Sequence, residues 1–117
     1  MTWRVLFPEQ GDSVCLQRLA LRCGYRIGHL CVELGCSERY LHEVFTRDIG
    51  LSPKEWMRQE RMVVARRMLA GGKSPDEVAE SLGFAVRSTF RREFVLFYQV
   101  RPLEFQRERM EKLRVEG

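Results

Sequence analysis

The hydrophobic pattern of this chain occurs twice. The first copy places small and apolar residues at helical spacing, at Ile27, Leu30, Cys31 and Leu34. The same spacing returns 48 residues later at Pro75, Val78, Ala79 and Leu82. After a glycine in each copy the offset becomes 49, and the aligned pairs are Leu41 with Phe90, Phe45 with Phe94 and Pro53 with Pro102. Each copy therefore predicts a short helix, a turn, a second helix and, after a proline, a third, which is the form of a helix-turn-helix.

Capping signals divide the first half of the pattern into helices. Asp12 or Ser13 can cap a first helix, whose apolar residues are Val14, Leu16, Leu19 and Ala20. A second helix is expected from about residue 27 to residue 34, and Gly35 turns the chain. Ser37 can cap a third helix that Gly50 closes, with a core stripe of Leu41, Val44 and Phe45.

The fourth helix carries a complete start signal. Ser52 is its expected N-cap, Pro53 lies in the first turn and Glu55 completes a capping box. The helix is expected to run to Ala70, before two glycines, and its 18 residues then span about 27 Å. Its expected core residues are Trp56, Met57, Met62, Ala65, Met68 and Leu69.

Three further helices follow. The same capping device opens a fifth helix at residues 74–77, and Gly83 turns the chain after it. A sixth helix carries Phe90, Phe94 and Phe97 on one face, which predicts that these side chains are buried. A seventh begins after Arg101.

These elements predict an all-α, homeodomain-like fold with about seven helices. The expected organisation is an N-terminal arm at 1–11, a first helix-turn-helix subdomain at 12–50, a linker helix at 51–72 and a second helix-turn-helix subdomain at 73–117. A length of 117 residues suits one domain, or two small units that share a helix.

Charge distinguishes the two halves. The net charge is +4, but residues 1–50 contain six Arg or Lys and six Asp or Glu, whereas residues 51–117 contain fourteen and ten. Seventeen of the 20 cations are arginine, the side chain best suited to bidentate contacts with phosphate and guanine. A positive second half and two helix-turn-helix units together favour double-stranded DNA as the partner.

Other classes of protein find little support in the sequence. We expect neither a signal peptide nor a membrane span. Without a glycine-rich phosphate loop or a histidine beside a nucleophile, we expect no enzyme and no cofactor. Free thiols in a reducing cytoplasm are expected for the four cysteines, Cys15, Cys23, Cys31 and Cys36. A zinc site that combines them with His29 or His42 is the alternative.

Two strings of residues carry a family resemblance. The first is Leu34-Gly35-x-Ser37-x-x-Tyr40-Leu41-x-x-x-Phe45, followed by Gly50-x-Ser52-Pro53-x-x-Trp56-Met57. The second is Val78-Ala79-x-x-x-Gly83-Phe84-x-x-x-Ser88-x-Phe90-x-Arg92-x-Phe94. Over about residues 12–112 the chain resembles the DNA-binding domain of the AraC/XylS family of bacterial transcription regulators. A single helix-turn-helix is a weak motif, but two at this spacing with this linker form a specific one.

The resemblance implies two helix-turn-helix units bridged by one long helix, with recognition helices in successive major grooves of DNA. It implies a cytoplasmic bacterial regulator and favours activation through RNA polymerase, although the residues leave activator and repressor open. We expect a stand-alone short regulator or the output half of a longer protein, with no small-molecule effector site in this segment. A degenerate module that binds protein, and part of a DNA-repair protein, are the alternatives.

On the third helix, the resemblance implies base-reading positions at Arg39, His42 and Glu43. Arginine can bind O6 and N7 of guanine, and a carboxylate can accept a hydrogen bond from N4 of cytosine. The expected phosphate contacts of this unit are Ser37, Thr46 and Arg47. The family usually has cations at the positions of Glu43 and Thr46, so a solvated face with little DNA affinity is the alternative.

On the sixth helix, the expected base-reading residues are Arg87, Ser88, Arg91 and Arg92, with Thr89 at a phosphate. Their spacing of four residues predicts that these base-reading side chains project together, and their positive charge predicts that the second unit dominates DNA affinity. Residues 95–98 are apolar where the family usually has two cations. They either pack against the seventh helix or the linker, or form an exposed docking patch.

Overall fold

A computed structural model of the chain describes residues 4–6 and 13–116. Most of the expected N-terminal arm, and Asp12 as a candidate cap, lie outside the described residues. The fold is all-α, with one short pairing of strands ahead of the helices. Strands β1 (Arg4–Leu6) and β2 (Ser13–Cys15) are antiparallel, with Val5 opposite Val14. The sequence pattern did not predict this pairing, which places Val14 in a strand instead of the first helix.

The first helix-turn-helix follows the predicted bounds closely. Helix α1 (Leu16–Arg22) begins later than the expected cap because the preceding residues belong to β2. Helices α2 (Ile27–Leu34) and α3 (Glu38–Asp48) are packed together. Gly35 turns the chain between them at φ 66°, a left-handed conformation in which glycine has no Cβ to clash. The Ser37 Oγ accepts a hydrogen bond from the backbone N–H of Tyr40 at 3.1 Å, which confirms the predicted N-cap.

Helix α4 (Pro53–Ala70) is continuous over 18 residues, as predicted. At its start, the Ser52 Oγ accepts a hydrogen bond from the backbone N–H of Glu55 at 3.2 Å. The chain divides into two compact units between Arg61 and Met62, so this helix contributes residues to both. Buried α4 side chains include Trp56 and Met57 in the first unit and Met62, Ala65 and Leu69 in the second.

The second helix-turn-helix consists of α5 (Pro75–Ser81) and α6 (Arg87–Tyr98), which pack together. The predicted capping box is complete. The Ser74 Oγ accepts from the Glu77 N–H at 3.2 Å, and the Glu77 Oε1 accepts from the Ser74 N–H at 3.3 Å. Gly83 turns the chain at φ 78°, and helix α7 (Pro102–Glu116) packs against α6.

The core of the first unit is centred on aromatic side chains. The rings of Phe45 and Trp56 meet edge to face, with centroids 5.7 Å apart and planes at 79°. The Arg61 guanidinium lies 5.7 Å from the centre of the Tyr25 ring. Because Tyr25 is buried, this contact gives Arg61 a structural role.

The core of the second unit corrects one expectation. Phe90 and Phe94 are fully buried, whereas Phe97 is only half-buried. Tyr98 packs beside α4. Its hydroxyl donates a hydrogen bond to the Met62 carbonyl at 3.1 Å, and the centre of its ring lies 4.8 Å from that of Phe94. Burial raises the pKa of this Tyr98 hydroxyl.

Candidate nucleic-acid interface

The N-terminal half of α6 presents three arginines to solvent. Phe90 and Phe94 anchor the opposite side of the helix in the core, so Arg87, Arg91 and Arg92 remain exposed. The first turn of α6 contains no acidic residue, and its backbone N–H groups add to the positive potential there. Ser88 is also exposed, whereas Thr89 is half-buried.

A carboxylate from α5 joins two of these arginines. The Asp76 Oδ2 accepts a hydrogen bond from the Arg87 Nη1 at 3.3 Å, and its Oδ1 accepts one from the Arg91 Nη2 at 3.1 Å. The two arginine side chains keep 66% and 57% of their exposure, so their other N–H donors remain accessible. The predicted base-reading side chains of α6 therefore differ in their ion pairing. Arg87 and Arg91 form a cluster with Asp76, and Arg92 makes no ion pair with any described residue.

On the corresponding surface of α3, a nearby carboxylate neutralises the positive charge of the arginine. The Arg39 Nε lies 3.7 Å from the Glu43 Oε1 one turn along the helix, and both side chains are mostly exposed. His42 is exposed on the same helix, one residue before Glu43. The predicted base-reading residues of this unit thus come together, but their net charge is smaller than that of α6.

The predicted phosphate contacts of the first unit lie at the two ends of α3. Ser37 is the N-cap, and Thr46 and Arg47 are exposed in the last turns. Arg47 donates two hydrogen bonds to Asp48, from Nε to Oδ1 at 2.8 Å and from Nη2 to Oδ2 at 3.1 Å. These bonds hold the pKa of the Asp48 carboxyl below its usual value. A phosphate would therefore compete with Asp48 for Arg47.

An apolar groove lies beside the arginine surface of the second unit. Its volume is about 620 Å³, and its lining includes Val95, Leu96, Pro102 and Leu103 as well as Arg91 and Arg92. Leu96 is 62% exposed and Val95 is 37% exposed. The two readings of residues 95–98 therefore apply to different side chains, because Tyr98 packs against α4 while Leu96 faces solvent.

Comparison with known proteins identifies the family. A helix-turn-helix domain family matches residues 30–108, which include the linker helix and all of α3, α5 and α6. The chain belongs to the AraC-type helix-turn-helix family. The AraC-type domain is a sequence-specific DNA-binding domain of transcription regulators, and the relatives of this chain are such regulators and not enzymes.

Individual relatives agree with this assignment. The chain is similar to the Msm operon regulatory protein of Streptococcus mutans, with 30% identity over 84 residues that cover 71% of this chain and 30% of that protein. This chain therefore spans less than a third of that relative's length. The similarity thus concerns one part of that longer protein.

Solved structures of the same kind share the fold. The DNA-binding domain of the global transcriptional factor AdpA, determined in complex with a target DNA, has a TM-score of 0.73 and 24% identity, covering 86% of this chain and 93% of that one. A DNA-binding transcriptional dual regulator from Escherichia coli K-12 has a TM-score of 0.70 and 22% identity, covering 82% and 89%. At these identities the similarity concerns the architecture.

Two residues at this AraC-type surface were not selected from the sequence. In the sequence Asp76 belongs to the capping segment 74–77, and its position in the first turn of a short helix does not indicate the arginines that it contacts. Val86, the N-cap of α6, is 55% exposed next to Arg87. The sequence position of Val86 does indicate a DNA contact, because apolar side chains at the start of a recognition helix can contact thymine methyl groups.

The structure gives Cys23 and Cys31 a packing role, and the side chain of Cys15 lies outside the described part of the chain. Cys23 and Cys31 are buried free thiols, and Cys36 is a half-buried one. Burial raises the pKa of both Cys23 and Cys31. Within the described residues there is no group of three or more His, Cys, Asp or Glu side chains placed to hold a metal ion. Likewise, no helix in that part of the chain is long and apolar enough to cross a membrane.

Proposed function

We propose that this AraC-type domain reads DNA chiefly through α6, with α3 as a second and weaker reading helix. The observation that carries the proposal is the difference in charge between the two surfaces. On the α6 side three arginines are exposed and one carboxylate pairs with two of them, whereas on α3 Arg39 is paired with Glu43. Phosphate contacts by arginine supply most of the affinity for DNA, so the more positive surface dominates binding.

Within this proposal each predicted residue has a role. Arg87, Ser88, Arg91 and Arg92 contact base edges or phosphates from α6, and Thr89 contacts a phosphate. From α3, the base-reading residues are Arg39, His42 and Glu43. Its phosphate contacts are Ser37, Thr46 and Arg47. Such a protein acts in a bacterial cytoplasm, where chromosomal DNA is found.

The salt dependence of DNA binding tests the proposal. A purified DNA-binding domain is expected to lose affinity for a duplex of random sequence by orders of magnitude between about 50 and 200 mM salt. Repeated selection of bound duplexes from random DNA should then yield one enriched sequence. A module that binds only protein would show neither the salt-dependent mobility shift nor an enriched sequence.

We further propose that the domain activates transcription by docking to RNA polymerase through the apolar groove. Leu96, Val95 and Leu103 supply exposed apolar surface there, and such patches on soluble proteins commonly mark interaction sites. Arg91 and Arg92 line one edge of the groove, and Val95 and Leu96 continue it toward the C-terminal end of α6, so the apolar surface adjoins the proposed DNA contacts.

The substitution Leu96→Gln tests this role. Because Leu96 is mostly exposed and glutamine adds no charge beside Arg92, the variant is expected to fold and to keep its DNA affinity while losing activation in a reporter assay. Leu113→Gln, which makes the same exchange at another exposed leucine of the second unit, is the matched control and should activate normally. Equal activation by the two variants would rule out the groove as the docking surface.

A further inference from the structure

Asp76 is the one acidic side chain of the described chain that pairs with arginines of α6. Each of its carboxylate oxygens serves one arginine, at 3.3 Å for Arg87 and 3.1 Å for Arg91. The two arginines are four residues apart and lie side by side on the helix. A single carboxylate therefore links both guanidinium groups in one cluster.

The local structure holds this carboxylate in place. Asp76 lies in the first turn of α5, directly between Pro75 and the capping-box residue Glu77. The reciprocal hydrogen bonds of Ser74 and Glu77 determine the backbone of that turn, and packing of α5 on α6 sets its distance from the arginines. The side chain of Asp76 is itself 44% exposed, so it lies at the surface that would face a polyanion.

The first unit lacks this arrangement. By the offsets of the repeat, Asp76, Arg87 and Arg91 correspond to Gly28, Glu38 and His42. Glycine has no side chain with which to orient a neighbour, and the two residues that would be oriented are not arginines. The cluster is therefore a property of the second helix-turn-helix and not a requirement of the fold.

We infer that Asp76 is a positioning residue for DNA specificity, acting through Arg87 and Arg91. This inference rests on the proposed function of α6. Arginine has five N–H donors, and a carboxylate that occupies one of them limits the directions in which the others point. A phosphate must compete with Asp76 for these donors and is repelled by its charge, whereas a guanine edge can bind the donors left free. Asp76 therefore weakens binding to random DNA more than binding to the target sequence.

The test compares Asp76→Asn with Glu80→Gln, which removes the same charge from an exposed side chain on the same helix. Each variant is titrated with a duplex that the wild-type protein enriches from random DNA and with a duplex of random sequence. For Asp76→Asn we expect tighter binding to random DNA, a slope of log affinity against log salt that is steeper by about one to two, and a specificity ratio lower by roughly fivefold. Glu80→Gln should change the specificity ratio little.

Two additional variants separate positioning from a structural effect. Asp76→Glu keeps the carboxylate and should retain most of the wild-type specificity ratio. In a background of Arg87→Ala and Arg91→Ala, Asp76→Asn should have no greater effect than Glu80→Gln. Thermal unfolding of each variant shows whether the fold is intact.

The outcomes distinguish the inference from the proposed function. If the wild-type protein shows no salt-dependent binding to either duplex, the proposed function fails and the inference fails with it. If the wild-type protein binds and discriminates but Asp76→Asn behaves as Glu80→Gln does, the inference alone is wrong. A folded Asp76→Asn variant that binds random DNA more weakly than the wild-type protein would also overturn it.

Discussion

At the scale of single residues, pairing decides how much charge an arginine can offer to DNA. Arg39 is paired with Glu43 across one helical turn, Arg47 with Asp48, and Arg87 and Arg91 with Asp76. Arg92 makes no ion pair with any residue that the structure describes, and it lies on the helix with the larger positive charge. Surface ion pairs are weak, but a phosphate must displace the carboxylate of each pair before it can bind the arginine in its place.

Arg92 should therefore contribute more to DNA binding than Arg39. We expect Arg92→Ala to weaken binding by about 1 to 3 kcal/mol, the range for an arginine that contacts a base edge, and Arg39→Ala to weaken it less. Equilibrium titration of labelled duplex measures both. Arg114→Ala, which removes an exposed charge near the end of α7, controls for the general loss of positive charge. A larger effect of Arg39→Ala would show that α3 and not α6 dominates.

The cysteines are expected to react in the order of their exposure. In a Cys15→Ser background, Cys36 should be alkylated first by iodoacetamide at neutral pH, and Cys23 and Cys31 should react only on unfolding. Burial raises the pKa of the two buried thiols, so a smaller fraction is thiolate at neutral pH and the reaction is slower. Mass spectrometry of peptides gives the order. Stoichiometric zinc in the purified protein, lost together with the fold on chelation, would contradict this assignment of the cysteines as packing residues.

At the scale of elements, short-range signals decide where the helices begin and end. The capping serines Ser37, Ser52 and Ser74 each accept a hydrogen bond from the backbone N–H three residues later. The end of α6 departs from the usual pattern. Its C-cap, Gln99, is in the left-handed region at φ 57°, a position where helices usually have glycine.

Replacing Gln99 by glycine should stabilise the second unit. A residue with a Cβ is strained in the left-handed region, so Gln99→Gly should raise the free energy of unfolding by up to about 1 kcal/mol, despite the loss of the side-chain hydrogen bond to the Leu96 carbonyl. Gln59→Gly makes the same exchange at an exposed position inside α4 and should lower stability by about 1 kcal/mol. Chemical denaturation measures both, and destabilisation by Gln99→Gly would show that the hydrogen bond outweighs the strain.

At the scale of the whole molecule, the two helix-turn-helix units are alike in fold and unlike in surface. Both have a glycine turn between their helices, but only the second combines three arginines with an acidic residue from its first helix. Unlike reading helices on one chain suit a DNA site without twofold symmetry, because each half of the site is read by different side chains.

We expect the domain to bind as a monomer to an asymmetric site of roughly 20 bp. Hydroxyl-radical footprinting should show two protected segments on one face of the DNA, about 10 bp apart. Sedimentation of the complex should give one protein per duplex. A palindromic site occupied by two protein molecules would contradict this prediction.

The sequence by itself determined the family, the order of the helices and most of their bounds. These features depend on interactions within about four residues along the chain, such as the bond from the Tyr40 N–H to Ser37, and on a repeat that is visible without any structure. The exposed arginines of α6 were found in the same way, because helical spacing places them opposite the buried Phe90 and Phe94.

Only the tertiary structure decided which partners these residues have. Asp76 lies 11 and 15 positions before the arginines that it joins, and Tyr98 lies 36 positions after the carbonyl to which it donates. Such contacts depend on how helices pack against one another, which periodicity does not specify. The same packing places Tyr98 beside α4 and leaves Leu96 exposed. The sequence did not predict the pairing of β1 with β2, because strands of three residues carry too little pattern to recognise.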